Sequence, residues 1–326
     1  MTRAHASTLL KAVIGIALIV FVIRQADWAR LVDVLRGTDM VLFGAACAVF
    51  AAAIAANAWR WMAVMSHLGA PIGPRDAIVG SFEANFFNQF LPSSVGGDPV
   101  KALRAYDAGA SLGRALLGVI IDRAYGLWFM SLAVVALIAG FRSPVIDAPA
   151  FPVVAIASVV AAVGAVAAIV VGALPLEQAL PRWLQPLWAL VLGFSGVARD
   201  PRRLFVVVIT LLVSNAVLLA AFLLCGLALG LVLGVVDGAL VMFGMLLASV
   251  VPVSLGGWGV REGVAVLLLT ATGASAAQAV AVSILFGLAM TVVALAGGVM
   301  WALSPYRRIS AREAMAQLRR GAGLGV

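Results

Sequence analysis

Charge is scarce in this chain of 326 residues: Asp, Glu, Lys and Arg make up 11% of it, where soluble domains carry about 25%. So few charges cannot clothe a soluble fold of this length, and 64% of the residues are hydrophobic, which a lipid exterior accepts. Cysteine and histidine are equally thin, at two each. Cys47 and Cys225 both fall inside apolar runs and read as small buried hydrophobes rather than a disulfide or metal pair. His5 and His67 are too scattered for a metal site. The chain holds no Walker loop, no dinucleotide fingerprint after a strand, and no Ser/His/Asp or Cys/His set, so nothing in it calls for a nucleotide, metal or other cofactor, and it does not read as an enzyme. The net charge of +8 would suggest nucleic acid in a soluble protein. Here the basic residues sit in short loops between apolar runs, which is how membrane orientation is written.

What the chain has in abundance is long apolar runs. A membrane-crossing helix needs roughly 20 residues, and the sequence predicts an all-α polytopic membrane protein with six full spans near 9–23, 40–60, 114–140, 151–173, 203–230 and 277–302. The first run is not followed by a small-residue cleavage site and is expected to remain as a span. Residues 182–197 are apolar, short and Pro-bounded, suiting an interfacial helix or a cytoplasmic-side connection. Residues 1–305 form one expected transmembrane domain, and 306–326 a basic cytoplasmic tail containing Arg307, Arg308, Arg312, Arg319 and Arg320, suited to an anionic lipid surface.

Two stretches, 76–110 and 238–273, do not fit a simple span. Each has an apolar arm, a break rich in Pro and Gly, and a shorter second arm. Aligned on the breaks, Pro92-Ser93-Ser94-Val95-Gly96-Gly97-Asp98-Pro99-Val100-Lys101 lies over Pro252-Val253-Ser254-Leu255-Gly256-Gly257-Trp258-Gly259-Val260-Arg261, sharing P-x-S-[VL]-G-G-x-x-V-[KR]. Such weak internal symmetry is typical of transporter halves. With the N-terminus in the cytoplasm, the first stretch becomes a re-entrant hairpin entering from the cytoplasmic side and the second a re-entrant hairpin entering from outside. Both termini then lie in the cytoplasm of a bacterial inner membrane. The basic residues agree: Arg3, Lys11, Arg60, Arg75, Arg114, Arg182, Arg199, Arg202, Arg203 and the tail arginines fall inside, against Arg24, Arg30, Arg36 and Arg142 outside.

The breaks are the first candidate site. Pro withholds a backbone donor and Gly permits a tight turn, and such backbone is tolerated at membrane depth only when it is buried in protein or lines a wet cavity. The helix starting after each pair of glycines would aim its N-terminal N–H groups inward, an arrangement suited to phosphate. Candidate substrate-binding residues are therefore Pro92, Ser94, Gly96, Gly97, Asp98 and Lys101 in the first break, with Ser254, Gly256, Gly257, Arg261 and Glu262 in the second. The competing reading is that the glycines serve only close helix packing. Charges inside apolar segments form the second set. Asp98, Lys101, Arg104 and Asp107 recur every three residues as one helical stripe, Asp122 and Arg123 lie within a span, and Glu83, Asn85, Asn88 and Arg104 are expected to line the same cavity. A charge at mid-bilayer costs at least about 2.5 kcal/mol, so such groups face cavities and pair. Structural ion pairing remains open for Asp122–Arg123 and Arg261–Glu262, as does a headgroup-level amphipathic helix for the stripe.

The segments N-A-W-R-W (57–61), R-D-A-I-V-G-S-F-E-A-N-F-F-N-Q-F-L-P-S-S-V-G-G-D (75–98), D-R (122–123) and V-P-V-S-L-G-G-W-G-V-R-E-G (251–263) resemble a flippase-like integral-membrane family. That family includes the transmembrane half of lysylphosphatidylglycerol synthase, the multiple peptide resistance factor. The resemblance spans nearly the whole chain and implies movement of a lipid between leaflets, with Pro92, Gly96, Gly97, Asp98, Asp122, Arg123, Gly256, Gly257, Arg261 and Glu262 as its key positions. The full synthases carry a soluble aminoacyl-transferase domain after the membrane half. This sequence stops about 20 residues past its last span, so the resemblance implies the translocating half without synthase activity. The expected partners are membrane lipids, an anionic phospholipid or a lipid-linked phosphate, with a second copy of the chain or a separately encoded synthase as protein partner. A membrane-embedded transferase using Asp98 or Glu262 as acid or base, and a small-solute or ion transporter, are the alternatives.

Overall fold

The start of four of the five long helices is written in the residue before it. The computed structural model describes residues 28–90, 96–175, 181–250 and 259–304, and the regular structure among them is entirely helical. After a short helix α1 (Trp28–Arg36), α2 (Met40–His67) begins where the Asp39 carboxylate accepts the N–H groups of Val41 and Leu42. Further on, α5 (Leu112–Gly140) begins at Ser111, α8 (Pro201–Ala228) at Asp200 and α11 (Ala276–Leu303) at Ser275, each with its side-chain oxygen on an early N–H of the first turn. Such caps satisfy donors that have no partner within the helix. α6 (Phe151–Val171) instead has Pro in its first turn, where a missing N–H does no harm. These five helices, α2, α5, α6, α8 and α11, are long and apolar enough to cross a membrane. The expected span at 9–23 and the basic tail lie outside the described residues. α2 overruns its expected span of 40–60: it has 28 residues, about 42 Å at 1.5 Å per residue, and carries Arg60 inside it. Arg60, expected at the cytoplasmic end of the span 40–60, instead lies within a helix that continues to His67.

Between the long helices lie two pairs of short ones. α3 (Pro74–Phe90) and α4 (Asp98–Asp107) have 17 and 10 residues, and α7 (Gln185–Arg199) separates α6 from α8. α9 (Val235–Ser249) and α10 (Val260–Leu269) have 15 and 10 residues. None of these four reaches about 30 Å, the thickness of a bilayer core, and within each pair the arms pack together. The order long, short, short, long thus occurs twice, as α2–α3–α4–α5 and as α8–α9–α10–α11, so the likeness seen at the breaks extends to whole elements.

α2 and α8 run antiparallel along their length. The Asp39 N–H donates to the Ala228 carbonyl at 2.8 Å where α2 starts and α8 ends, and Arg203 Nη1 donates to His67 Nδ1 at 2.8 Å where α2 ends and α8 starts. The first short pair begins and finishes at the His67 end, where Arg114, opening α5, reaches the Gly69 carbonyl. The second begins and finishes at the Asp39 end, where Ser143, just past α5, donates to Asp237 on α9. The two pairs therefore enter the bundle from opposite ends. α11 is the central helix, with 61% of its apolar window buried against 6% for α6. Its Phe286 meets Phe50 of α2 and Phe222 of α8 edge-on, at centroid distances of 6.2 and 5.3 Å.

α7, expected as an interfacial or connecting segment, buries Phe194 and Val197 against α5 and α8. Tyr125 of α5 stacks on Phe194 at 4.3 Å, and its hydroxyl donates to the Phe194 carbonyl at 2.6 Å. Tyr125→Phe keeps the stack and loses the hydrogen bond. The expected cost is about 1 kcal/mol, measured as a lowered unfolding midpoint in detergent.

Candidate functional site

The first break is held shut by a backbone contact. Gly97 precedes α4, and its N–H donates to Asn88 Oδ1 of α3 at 2.7 Å. A Cβ placed on Gly97 would lie 1.9 Å from the Ala84 carbonyl oxygen, so a side chain there collides with α3 itself. This crossing holds the start of α4 against the middle of α3 and turns Asp98 and Lys101 toward α5.

There the charges pair. Asp122 of α5, 4% exposed, takes two cations on one carboxylate: Arg60 Nε of α2 donates to Oδ1 at 2.7 Å and Lys101 Nζ of α4 donates to Oδ2 at 2.9 Å. The Lys101 ammonium also lies 4.6 Å from the centre of the Trp61 ring, a favourable placement for a desolvated cation. Arg123 pairs with Asp98 at 3.1 Å. At the start of α10, Arg261 donates through Nε and Nη2 to Glu262 Oε1 at 3.2 and 3.0 Å, while Glu262 Oε2 accepts the Gly259 N–H at 2.6 Å and Ser283 Oγ donates to Oε1 at 3.2 Å. The Glu262 carboxylate thus occupies part of the helix start that the sequence reading reserved for a ligand. Within the charged stripe of α4, Lys101 and Arg104 are buried in protein, while Asp107 and Leu103 are exposed.

These groups surround one cavity of about 350 Å³. Its described lining includes the cations Arg60, Lys101, Arg123 and Arg261 and the carboxylates Asp98 and Asp122, so residues from both short-helix pairs face the same space. Asn57, Ser81, Asn85, Asn88, Gln89, Ser214, Asn215 and Ser249 add neutral polarity, and Leu127, Met130, Leu218 and Leu246 form an apolar side. Ser249 and Val250, at the near edge of the second break, line it too. Pro92, Ser94, Ser254, Gly256 and Gly257 lie outside the described residues; Gly96 is described and sits beside Gly97 in the turn.

Two sequence expectations are corrected. Glu83 and Arg104 do not line the cavity. Arg104 donates through Nη2 and Nε to the two Glu83 oxygens at 2.6 and 3.2 Å, and further to Asp76 Oδ1 and Ser304 Oγ, both at 3.1 Å. Both side chains are buried between α3, α4 and the end of α11. The physical reason is helical phase: Glu83 lies on a different face of α3 from Ser81, Asn85 and Asn88, which share the cavity side at i, i+4 and i+7. The sequence reading missed Arg60, Asn57, Ser81 and Asn215 as lining residues. Only Arg60 carried a signal, as a cation near the end of an apolar run.

Two buried polar atoms of α3, Ser81 Oγ and Asn85 Nδ2, have no hydrogen-bond partner among the described residues, each a cost of about 1–3 kcal/mol when left bare. A family model described as the lysylphosphatidylglycerol synthase TM region matches residues 8–298. No curated protein matches the chain.

Proposed function

Because this chain belongs to the family of the lysylphosphatidylglycerol synthase transmembrane region, we propose that it moves a phospholipid or lipid-linked phosphate between the leaflets of a membrane. The observation that carries this reading is the single cavity into which both short-helix pairs, entering from opposite ends, direct a basic residue: Lys101 from one and Arg261 from the other. In the proposed arrangement α3–α4 and α9–α10 are re-entrant hairpins of an inverted repeat in a bacterial inner membrane. Residues 1–305 act as the translocating domain, and both termini and the basic tail lie in the cytoplasm.

The phosphate meets Lys101 and Arg261, with Arg60 and Arg123 beside them. Charge-assisted hydrogen bonds to phosphate are among the strongest single contacts a protein makes. The acyl tails stay in lipid along the apolar side of the cavity. Rocking of the hairpins exposes the site to each leaflet in turn, in the manner of transporters built from inverted halves. The chain itself performs no chemistry on the lipid; a separately encoded synthase, or a second copy of the chain, is its proposed protein partner.

The test is lipid movement in vesicles reconstituted with the purified chain, followed by quenching of an acyl-labelled anionic phospholipid in the outer leaflet. The wild-type chain is expected to move it. Lys101→Gln and Arg261→Gln are each expected to slow it about tenfold or more, the effect of one charged hydrogen bond. Folded wild-type protein that moves no lipid removes the proposal.

A further inference from the structure

We propose that Asp98 is a built-in counter-ion that limits how tightly the cavity holds its cargo: an arriving anionic headgroup displaces its carboxylate from Arg123, and the same carboxylate, kept close by, helps to expel that headgroup again. This rests on the lipid-translocation reading and adds to it the means of release.

An acid on the wall of a site for an anion needs a reason. α4 and α5 meet through two rungs of opposite sense. Lys101 of α4 donates to Asp122 of α5 at 2.9 Å, and Asp98, one helical turn earlier on α4, pairs with Arg123, the residue after Asp122, at 3.1 Å. The rungs differ in shelter. The Arg123 and Asp98 side chains are 29% and 18% exposed, whereas Arg60, Lys101 and Asp122 are 9%, 11% and 6% exposed and Arg261 and Glu262 only 2% and 5%. Arg123 and Asp98 both line the cavity. A partly hydrated pair adds little to stability, and breaking a buried one strands a charge at high cost. Among the described residues, Asp98 is therefore the carboxylate that a ligand displaces most cheaply from a cation of this cavity.

Displacement does not carry the carboxylate away. The backbone ahead of it is fixed by the Gly97 N–H on Asn88 Oδ1, and the helix behind it by Lys101 on Asp122 and by Arg104 on Glu83. Asp98 turns about its own side-chain bonds, so its charge remains beside a phosphate seated on Arg123 and repels it. Charged donors hold phosphate strongly, and a transport site has to bind well enough to fill and weakly enough to empty. Lys101 and Arg261 supply the first half of that requirement and Asp98 the second.

The experiment measures binding and movement separately. Binding is titrated by calorimetry, with dihexanoylphosphatidylglycerol, a short-chain anionic phospholipid, added to the full chain in nonionic detergent. Movement is followed in vesicles over a range of mole fractions of an acyl-labelled anionic phospholipid. Asp98→Asn keeps the shape and removes the charge. It is expected to bind the probe about tenfold more tightly than the wild-type chain and to move lipid about tenfold more slowly at saturation, each about 1.4 kcal/mol. A residue that served only to hold α4 against α5 would not tighten binding when altered. Asp98→Ser removes the same charge by a second route and keeps the comparison available should Asp98→Asn not fold. Binding by the folded neutral variants that equals or falls below the wild-type value overturns the inference, as does tighter binding with an undiminished rate at saturation. A wild-type chain that binds no probe overturns it too, since no anion then competes with Asp98. A wild-type chain that binds the probe and moves no lipid fails differently: the translocation reading falls, and the affinity comparison still decides whether Asp98 is a displaceable counter-ion.

Discussion

Asp122→Ala should lower the stability of the chain by about 3–5 kcal/mol, the usual cost of removing one partner from a buried ion pair. The reason is the geometry around that carboxylate. Arg60 and Lys101 come from two other helices, are 7% and 9% exposed, and converge on its two oxygens at 2.7 and 2.9 Å. Without it, two cations remain close together in a poorly hydrated place, so repulsion adds to desolvation. Unfolding in detergent, followed by helical signal against denaturant, measures the loss. Lys101→Met on top of Asp122→Ala should recover part of it, since one of the two stranded charges is gone; the non-additivity of the pair is the direct measure of their coupling. A single-variant loss below about 1 kcal/mol, the size of a solvent-exposed pair, contradicts the description of Asp122 as the centre of the network.

The second large effect is expected at Gly97. An alanine Cβ there lies 1.9 Å from the Ala84 oxygen and 2.6 Å from its carbonyl carbon. These are main-chain atoms of α3, so no side-chain rotation relieves the contact and the two helices must part. Overpacking costs typically 1–3 kcal/mol and more when backbone has to move, and about 3 kcal/mol or more is expected for Gly97→Ala. The loss should come with release of the Gly97 N–H from Asn88. Gly44→Ala is the matched control. It lies inside α2 with nothing within 4 Å of the added carbon, and alanine in a helix interior should stabilise by about 0.5–1 kcal/mol. Parallel thermal melts of the two variants measure the contrast, and equal losses in both contradict the close crossing of α3 and α4.

How much of this was legible beforehand follows from which physical rule wrote each feature. The broken segments announce themselves because Pro and Gly cannot be placed at random in an apolar run. Asp98, Lys101, Asp122, Arg123 and Arg261 stand out because charge is costly at depth, and all five line the cavity. Pairing was not legible. Asp122 follows Arg60 by 62 positions, and only the packing of α2 against α5 brings them together. Arg60 reads as the cytoplasmic end of a span because an apolar run of ordinary length ends there, whereas Asp39 caps a helix of 28 residues that carries on to His67. Glu83 misled in the opposite sense: its chemistry suits the cavity, but its phase on α3 delivers it to Arg104. Ser81 gave no signal, since a lone hydroxyl among apolar residues normally folds back on its own helix.

The antiparallel α2–α8 seam is fastened at both tips, by Asp39 on Ala228 and by Arg203 on His67. One strut belongs to each half of the molecule, so the halves are riveted together as a keel. Parting them would strip both fastenings and unstack Phe50 and Phe222 from Phe286. Movement that leaves this keel standing falls to the four short helices, which join the long ones through non-helical segments, so each pivot would lie at a tip of the bundle and the cavity would sit between the two sets.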